Sequence, residues 1–247
     1  MGYYLTIDKG NTATKVALWD GLSLLKFGGK IDSSEELCKF LNDCGKYPCD
    51  IEKAIFCSVT EANGVELNML KENGIEVIVF NHQLPISIVN AYKTPHTLGL
   101  DRLAAAVGAW EKYNGEDKDI LVVDLGSAIT YDIVTADGRY VGGNIAPGVR
   151  MRFGALHNFT SRLPLIEPEG DYGLWGDATE TAIRSGVITG IVGEITYYKS
   201  QLSDNCDVVL TGGDAAMIAE KLDFSVKVEH ELVSTGLNRI LLYNENN

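Results

Sequence analysis

A short sequence pattern occurs twice in this chain, once at the start and once near the middle. Residues 5–14 read Leu-Thr-Ile-Asp-Lys-Gly-Asn-Thr-Ala-Thr, and residues 121–130 read Leu-Val-Val-Asp-Leu-Gly-Ser-Ala-Ile-Thr. In each copy the second apolar stretch ends at an Asp-Gly pair, at 20–21 and at 137–138. Because Gly accepts positive φ, each copy predicts strand, tight polar turn, strand, turn, strand. The chain is therefore predicted to consist of two related halves.

The distance between the two copies indicates a duplicated domain. Solenoid repeats have periods of about 20 to 50 residues, and the copies here are much further apart. With 247 residues, each half has the size of an ordinary domain. We expect an N-terminal lobe at 1–116 and a C-terminal lobe at 117–247, with a cleft between them.

The two turns carry groups that suit a nucleotide and a metal ion. Each offers a carboxylate, Asp8 or Asp124, a Gly that allows close backbone approach, and hydroxyl and N–H donors. Such donors bind phosphate oxygens, whereas two carboxylates share a site only around a cation. The turns thus predict a metal-nucleotide site. The alternative is that both are ordinary hairpins with polar tips.

Charge and cysteine usage exclude several classes of protein. The chain has 21 Lys and Arg against 34 Asp and Glu, a net charge of −13, and no basic cluster that would bind nucleic acid. It lacks a signal-peptide pattern and a run of about 18 apolar residues, so a cytoplasmic location without a membrane partner is expected. Its cysteines are odd in number and form no C-x-x-C pair, which favours reduced structural thiols.

Periodicity predicts alternating strands and helices in both halves. A helix is predicted to start at Ser33, which has capping-box spacing to Glu36, and to bury Leu37, Phe40 and Leu41. Further helices are predicted over 62–73, 99–110, 149–158, 177–202 and 231–243. A strand over 208–210 leads through Thr-Gly-Gly-Asp into a short helix, a loop that suits phosphate or adenosine contacts.

The helix predicted over 177–202 contains three glycines, Gly186, Gly190 and Gly193. Each costs a helix about 1 kcal/mol, so a closely packed neighbour is expected along this side. That neighbour is either a second subunit or another part of the same chain.

Three motifs occur in order along the chain. They are Asp8-x-Gly10-Asn11-Thr12-x-x-Lys15, then Pro95-x-x-x-Gly99-x-Asp101-Arg102, then Asp124-x-Gly126-Ser127 running on to Gly143-x-Ile145-x-Pro147-Gly148. With Thr211-Gly212-Gly213, they resemble the motifs of the type III pantothenate kinases, of the acetate and sugar kinase, Hsc70 and actin superfamily. The chain has Ser127 where the family usually has Thr, and Ala178-Thr179 where it often has Asn-Thr.

The resemblance implies a fold and an activity. The fold is α/β, a duplicated ribonuclease-H-like or actin-like ATPase fold, with a mixed sheet flanked by helices in each lobe. The activity is the ATP-dependent phosphorylation of the pantothenate primary hydroxyl, the first step of coenzyme A synthesis. It also implies Mg²⁺, a monovalent cation (K⁺ or NH₄⁺) and a homodimer. The absence of a Walker-type motif agrees with this family and excludes a P-loop kinase.

Each motif residue receives an expected role from the resemblance. Asp101 is the expected catalytic base, and its position at a helix start favours the ionised form. Asp8 is expected to order Mg²⁺ through water, and Asp124 to bind the monovalent cation. The expected ATP contacts are Asp8, Lys9, Gly10, Asn11, Thr12, Ala13, Thr14, Lys15 and Ser127. The expected pantothenate contacts are Tyr92, Gly99, Leu100, Asp101, Arg102 and, from the other subunit, Thr179.

Several of these assignments have plain structural alternatives. Asp101 could be only a helix cap, Arg102 could pair with a structural carboxylate, Lys15 could face solvent, and Tyr92 could be a packing residue. At the level of the whole chain, the alternatives are another small-molecule kinase of the same superfamily and a nucleotide-binding accessory regulator, because a fold need not catalyse.

Overall fold

The computed structural model describes residues 2–10, 14–29, 31, 33–58, 65–114, 117–203 and 205–245. Its contacts group into two compact units, each described here by itself. The first comprises Met1–Asn114, Gly138–Tyr140 and Glu231–Asn247, and the second comprises Gly115–Asp137 and Val141–His230. Elements are numbered in chain order through both units.

The first unit is a five-stranded mixed sheet with helices. Its elements are β1 (Tyr3–Lys9), β2 (Thr14–Asp20), β3 (Ser23–Gly29), α1 (Ser34–Asn42), β4 (Ile51–Ser58), α2 (Val65–Glu72), β5 (Glu76–Val79), β6 (Val89–Asn90), α3 (Leu100–Tyr113) and α7 (Leu232–Glu245). The strand order is β3-β2-β1-β4-β5. β1, β2 and β3 are antiparallel neighbours, and β4 and β5 continue the sheet in parallel from β1. The short β6 pairs with Arg139 and Tyr140 of the same unit.

The second unit repeats this arrangement. Its elements are β7 (Ile120–Leu125), β8 (Ala128–Val134), β9 (Arg139–Pro147, whose first two residues belong to the first unit), α4 (Val149–Asn158), α5 (Thr179–Ser200), β10 (Asp207–Thr211), α6 (Ala215–Ala219) and β11 (Lys227–Val228). The strand order is β9-β8-β7-β10-β11, with β7 antiparallel to β8 and parallel to β10. These five strands thus follow the order of the five in the first unit, and β7, β8, β10 and β11 have the same relative directions as β1, β2, β4 and β5, which confirms the duplicated α/β fold.

Local sequence signals appear in the structure as predicted. Gly21 and Gly138, the turn glycines of the two copies, have φ of 55° and 76°. Ser33 caps α1 by accepting a hydrogen bond of 3.2 Å from the Glu36 backbone N–H, and α1 buries Leu37, Phe40 and Leu41. α4 spans the predicted residues 149–158. The predicted start of α2 at residue 62 lies outside the described residues.

The last helix joins the first unit, whereas the sequence boundary at 116/117 assigned it to the C-terminal lobe. α7 packs on α3 at two glycines: a Cβ on Gly108 would lie 2.5 Å from the Leu232 carbonyl oxygen, and one on Gly236 would overlap the Ala104 carbonyl oxygen. The Ser234 hydroxyl forms a buried hydrogen bond of 2.6 Å with the Thr6 hydroxyl of β1. Close helix packing and a buried polar contact therefore hold α7 against α3 and the first sheet.

No helix in the described ranges combines the length and the apolar character that crossing a membrane requires.

Candidate active site

Asp8 lies at the carboxyl end of β1, in the middle of the first sheet. It is in register with Lys15 on β2 and with Cys57 on β4, and only 7% of its surface is exposed. Among the predicted phosphate contacts, Thr14 is buried, and Lys9, Gly10 and Lys15 are half-buried. The contacts predicted at 11–13, which are Asn11, Thr12 and Ala13, fall outside the described residues.

Asp101 lies in the first turn of α3, in the same unit. Its Oδ1 accepts a hydrogen bond of 2.9 Å from the Arg102 backbone N–H. Gly99 is the N-cap of this helix, and a Cβ at that position would overlap Asp101 Oδ1. The Arg102 side chain is buried, while Leu100 and Asp101 remain half-buried. The glycine of the Gly-x-Asp-Arg motif therefore leaves the space that the carboxylate occupies.

The thiol of Cys57 is influenced by both carboxylates, although its sequence context indicated only a structural thiol. Burial raises the pKa of the Cys57 thiol, and the charges of Asp8 and Asp101 raise that pKa further. Both carboxylates therefore lie close enough to this thiol to act on it electrostatically. The thiol stays protonated at neutral pH, and the structure brings Asp8 and Asp101 to the same region of the first unit.

Asp124 occupies in the second unit the place that Asp8 has in the first. It is the penultimate residue of β7, in register with Thr130 on β8 and Thr211 on β10. Gly212 has a φ of 91°, and a Cβ there would lie 2.5 Å from Asp124 Oδ1. The loop after β10 can approach this carboxylate closely only because position 212 has no side chain.

Ser127 lies in an exposed turn beside a cavity of 390 Å³ in the second unit. The Ser127 carbonyl accepts a hydrogen bond of 3.2 Å from the Gly148 N–H, which precedes α4, and the Leu125 carbonyl accepts one of 3.2 Å from the Asp214 N–H. The turn after β7 is thus bonded to the start of α4 and to the loop before α6. This volume falls in the range of small-molecule sites, which is about 300 to 1,000 Å³.

The two remaining predicted pantothenate contacts lie in different units. The half-buried Tyr92 has its ring 6.1 Å from that of Tyr140, both in the first unit. Thr179 is the exposed first residue of α5 in the second unit, where it lines an apolar groove of 860 Å³ between α4 and α5.

Arg152, which lines this groove, forms an ion pair that sequence patterns did not predict. Arg152 on α4 donates two hydrogen bonds, of 2.8 and 2.7 Å, to the carboxylate of Glu194 on α5, and its Nε donates one of 2.8 Å to the Pro147 carbonyl. The Tyr131 hydroxyl also donates to Glu194, at 2.7 Å. Burial opposes ionisation of Glu194, but the hydrogen bonds from Arg152 and Tyr131 keep its pKa below the usual value. The Arg152–Glu194 ion pair therefore links α4 to α5.

The acidic residues fit a cation that is held mainly by its substrate. Among the residues that the structure describes, no three His, Cys, Asp or Glu side chains converge on a common metal position. Mg²⁺ commonly binds through one or two carboxylates together with substrate phosphates. A buried carboxylate such as that of Asp8, at a turn that offers phosphate donors, suits this mode of binding.

The fold defines the class of protein. The structure has a TM-score of 0.65 with a conserved Baf family protein from Campylobacter jejuni, at 23% identity, covering 98% of this chain and all of that one. It has a TM-score of 0.57 with the activator of 2-hydroxyisocaproyl-CoA dehydratase from Clostridium difficile, solved with bound ADPNP, at 13% identity over 99% and 96% of the two chains. The molecule is therefore a member of the actin-like ATPase fold class.

Sequence comparison then identifies the family. The model of the type III pantothenate kinase family matches residues 4–201. The type III pantothenate kinase of Bacteroides fragilis is 44% identical over 243 residues, which is 97% of this chain and 98% of the relative, and that of Phocaeicola vulgatus is 41% identical over 98% of both chains. This chain belongs to the type III pantothenate kinase family, which confirms the resemblance of its motifs.

Proposed function

We propose that this protein transfers the γ-phosphoryl group of ATP to the primary hydroxyl of pantothenate, which gives 4'-phosphopantothenate in the first step of coenzyme A synthesis. The observation that carries this proposal is the 44% identity to a type III pantothenate kinase over nearly the full length of both chains. The duplicated actin-like fold supports it, since a relative of that fold was solved with an ATP analogue.

Asp101 is the proposed base of this reaction. Phosphoryl transfer proceeds through a loose transition state, so the protein mainly has to position groups and neutralise charge. Asp101 presents its carboxylate from the first turn of α3. Asp101 can then orient the substrate hydroxyl and accept its proton late in the transfer. Its half-buried position leaves it accessible to a substrate.

Asp8 is proposed to hold the magnesium ion that accompanies ATP, through water. Bound there, Mg²⁺ would neutralise charge on the β- and γ-phosphates. The proposed phosphate contacts on the first unit are Lys9, Gly10, Thr14, Lys15 and the residues at 11–13. On the second unit, the hydroxyl of Ser127 is the proposed contact with ATP.

Asp124 is the proposed ligand of a monovalent cation, K⁺ or NH₄⁺. Its place at the end of β7, equivalent to that of Asp8, supports this role. We expect turnover to rise with K⁺ or NH₄⁺ over Na⁺ at fixed ionic strength, and Asp124→Ala to abolish that response while some activity remains. Equal activity in all three salts would argue against this cation site.

Pantothenate is proposed to contact Tyr92, Gly99, Leu100 and Arg102 of one subunit and Thr179 of a second. The burial of Arg102 favours a fixed geometry for its guanidinium, and the apolar groove beside Thr179 supports contact with another copy of the chain. The homodimer is thus part of the proposal. The use of ATP favours the cytoplasm, where this nucleotide is available.

A phosphoryl-transfer assay tests the proposal directly. The purified protein is incubated with Mg-ATP and either pantothenate, a panel of sugars or acetate, with and without K⁺, and the phosphorylated products are quantified. We expect transfer to pantothenate with kcat/KM far above that for any other acceptor. A sugar or acetate with the higher kcat/KM would indicate another kinase of the superfamily, and no transfer to any acceptor would indicate a regulator.

A further inference from the structure

The 390 Å³ cavity of the second unit is lined by side chains of both charges, Arg150 and Asp214. Three segments form it: the turn at Gly126 and Ser127, the first turn of α4 with Arg150 and Met151, and the loop at Gly213 and Asp214. Burial raises the pKa of the Asp214 carboxyl, Arg150 lowers that pKa, and Glu169 raises it. Arg150 is the cationic side chain among the lining residues. It lies in the first turn of α4, and the N–H of Gly148, just before this helix, donates to the Ser127 carbonyl.

Two carboxylates outside the cavity hold Arg150. Its NH1 donates to Glu167 Oε2 at 2.9 Å, and its NH2 lies 3.9 Å from Glu169 Oε1. The side chains are 67% exposed for Arg150 and 70% exposed for each glutamate. Ion pairs between side chains this exposed are weak, so a ligand of higher charge can displace them.

The segment that carries these glutamates is itself fixed in place. We call Glu167–Gly170 the acidic strap. The buried Arg184 of α5 donates from Nε to the Glu167 carbonyl at 3.2 Å. Gly170 has a φ of 125°, and a Cβ there would lie 3.0 Å from the Arg184 Cζ. The strap is therefore anchored by its backbone, while its two carboxylates point to Arg150.

We infer that Arg150 binds a phosphate of the nucleotide in this cavity, and that Glu167 and Glu169 compete with the nucleotide for its guanidinium. This inference rests on the proposed function, because it takes ATP to enter at the Ser127 turn. A guanidinium can donate two parallel hydrogen bonds to a phosphate, as it can to a carboxylate, and the phosphates of a nucleotide carry more negative charge than a single carboxylate. Asp214, which also lines the cavity, suits the hydroxyls of a ribose.

Calorimetric binding of Mg-ATP, Mg-ADP and adenosine tests this inference. We expect Arg150→Gln to weaken the binding of ATP and ADP about tenfold and to leave adenosine unchanged, because one charge-assisted contact is lost. Arg150→Lys keeps the positive charge but cannot donate two parallel hydrogen bonds. Its affinity for ATP and ADP should therefore lie between those of the wild type and Arg150→Gln. Arg162→Gln, at an exposed arginine outside the cavity lining, is the control for net charge and should bind as wild type does.

The strap gives a prediction of opposite sign. Glu167→Gln with Glu169→Gln should strengthen ATP and ADP binding about twofold to threefold, since a weak competing ion pair is removed. In the Arg150→Gln background the same double substitution should have no effect, because its partner is gone.

Three results would overturn the inference. One is unchanged ADP affinity in Arg150→Gln. Another is an equal loss of adenosine affinity in Arg150→Gln, which would mean that Arg150 contacts the nucleoside and not a phosphate. The third is tighter binding of ATP and ADP when the strap substitutions are made in the Arg150→Gln background. That result would mean that the two glutamates act on the nucleotide by long-range repulsion and not through Arg150. Failure of the wild-type protein to bind any nucleotide would instead count against the proposed function.

Discussion

The position of the Asp101 carboxylate depends on the small residue two places before it. Any side chain at Gly99 would overlap Asp101 Oδ1, the atom that also accepts the Arg102 backbone N–H at 2.9 Å. A motif that reads Gly-x-Asp-Arg in sequence is therefore a steric requirement in the structure. The glycine supplies space and the next backbone amide supplies a donor.

Substitution Asp101→Asn removes the proposed base without changing the size of the side chain. We expect kcat to fall about 10²- to 10⁴-fold, the usual contribution of a positioned base, with ATP affinity nearly unchanged. Steady-state kinetics and calorimetry measure the two effects. A variant that keeps more than half of the wild-type kcat would exclude Asp101 from the proton transfer.

Substitution Gly99→Ala displaces the same carboxylate while leaving its chemistry intact. A shift of about 1 Å at a reacting group can cost about 10²-fold, so we expect a loss of kcat of that order with little change in Tm. The matched control is Gly154→Ala in α4, where the nearest atom to a new Cβ is 4.0 Å away. It should keep activity. Wild-type turnover in Gly99→Ala would show that the carboxylate does not need this space.

At the scale of single elements, α5 has two unlike faces. Ile183, Val187, Ile191 and Ile195 are buried in the core of the second unit, whereas Gly186, Gly190 and Gly193 are exposed. Apart from the glycine, its chain neighbours and the adjacent backbone of α5, no atom of the described chain lies within 4 Å of a Cβ built on Gly186 or Gly193, and only Arg152 NH1 comes that near to Gly190, at 3.9 Å. The described part of the chain therefore supplies no close neighbour for these glycines, which supports the proposal that a second subunit is the reason for them.

Substitution Gly193→Leu tests that reason. The isolated chain has room for the new side chain, so the fold should be kept, but a tightly packed second subunit would be pushed away. We expect the variant to sediment as a monomer with unchanged helix content by circular dichroism. Lys39→Leu adds the same side chain at an exposed position of α1 and should remain dimeric. Dimers of unaltered affinity in Gly193→Leu would contradict an interface at this face.

At the scale of the whole molecule, the proposal makes each active site depend on two chains. Asp101 belongs to one subunit, and Thr179, at the start of α5, is proposed to reach the pantothenate of the other. Closing the pocket with a second chain would also exclude water from the phosphoryl transfer.

Mixing two inactive variants distinguishes a shared site from a self-contained one. In a mixed dimer of Asp101→Asn and Thr179→Ala chains, one site carries both defects and the other carries neither. Activity after mixing should therefore exceed that of either parent. Subunit exchange is verified with differently tagged chains. Absence of rescue despite confirmed exchange, or a fully active monomer, would contradict the shared site.

Local sequence patterns were sufficient to predict the duplicated sheet and most element starts. Asp-Gly turns, strand alternation and the Ser33 cap act over a few neighbouring residues, and such local preferences can be recognised wherever they occur. The same reasoning located both carboxylates, Asp8 and Asp124, at strand ends, and the family motifs located Asp101.

Contacts between distant segments became known only from the folded chain. α7 joins the first unit because Gly108 and Gly236 let two helices touch and because Ser234 bonds to Thr6. Cys57 lies beside Asp8 through the β1–β4 register, and Arg150 meets the acidic strap because Arg184 anchors that strap. These contacts depend on complementary surfaces far apart in the chain, which no local pattern records.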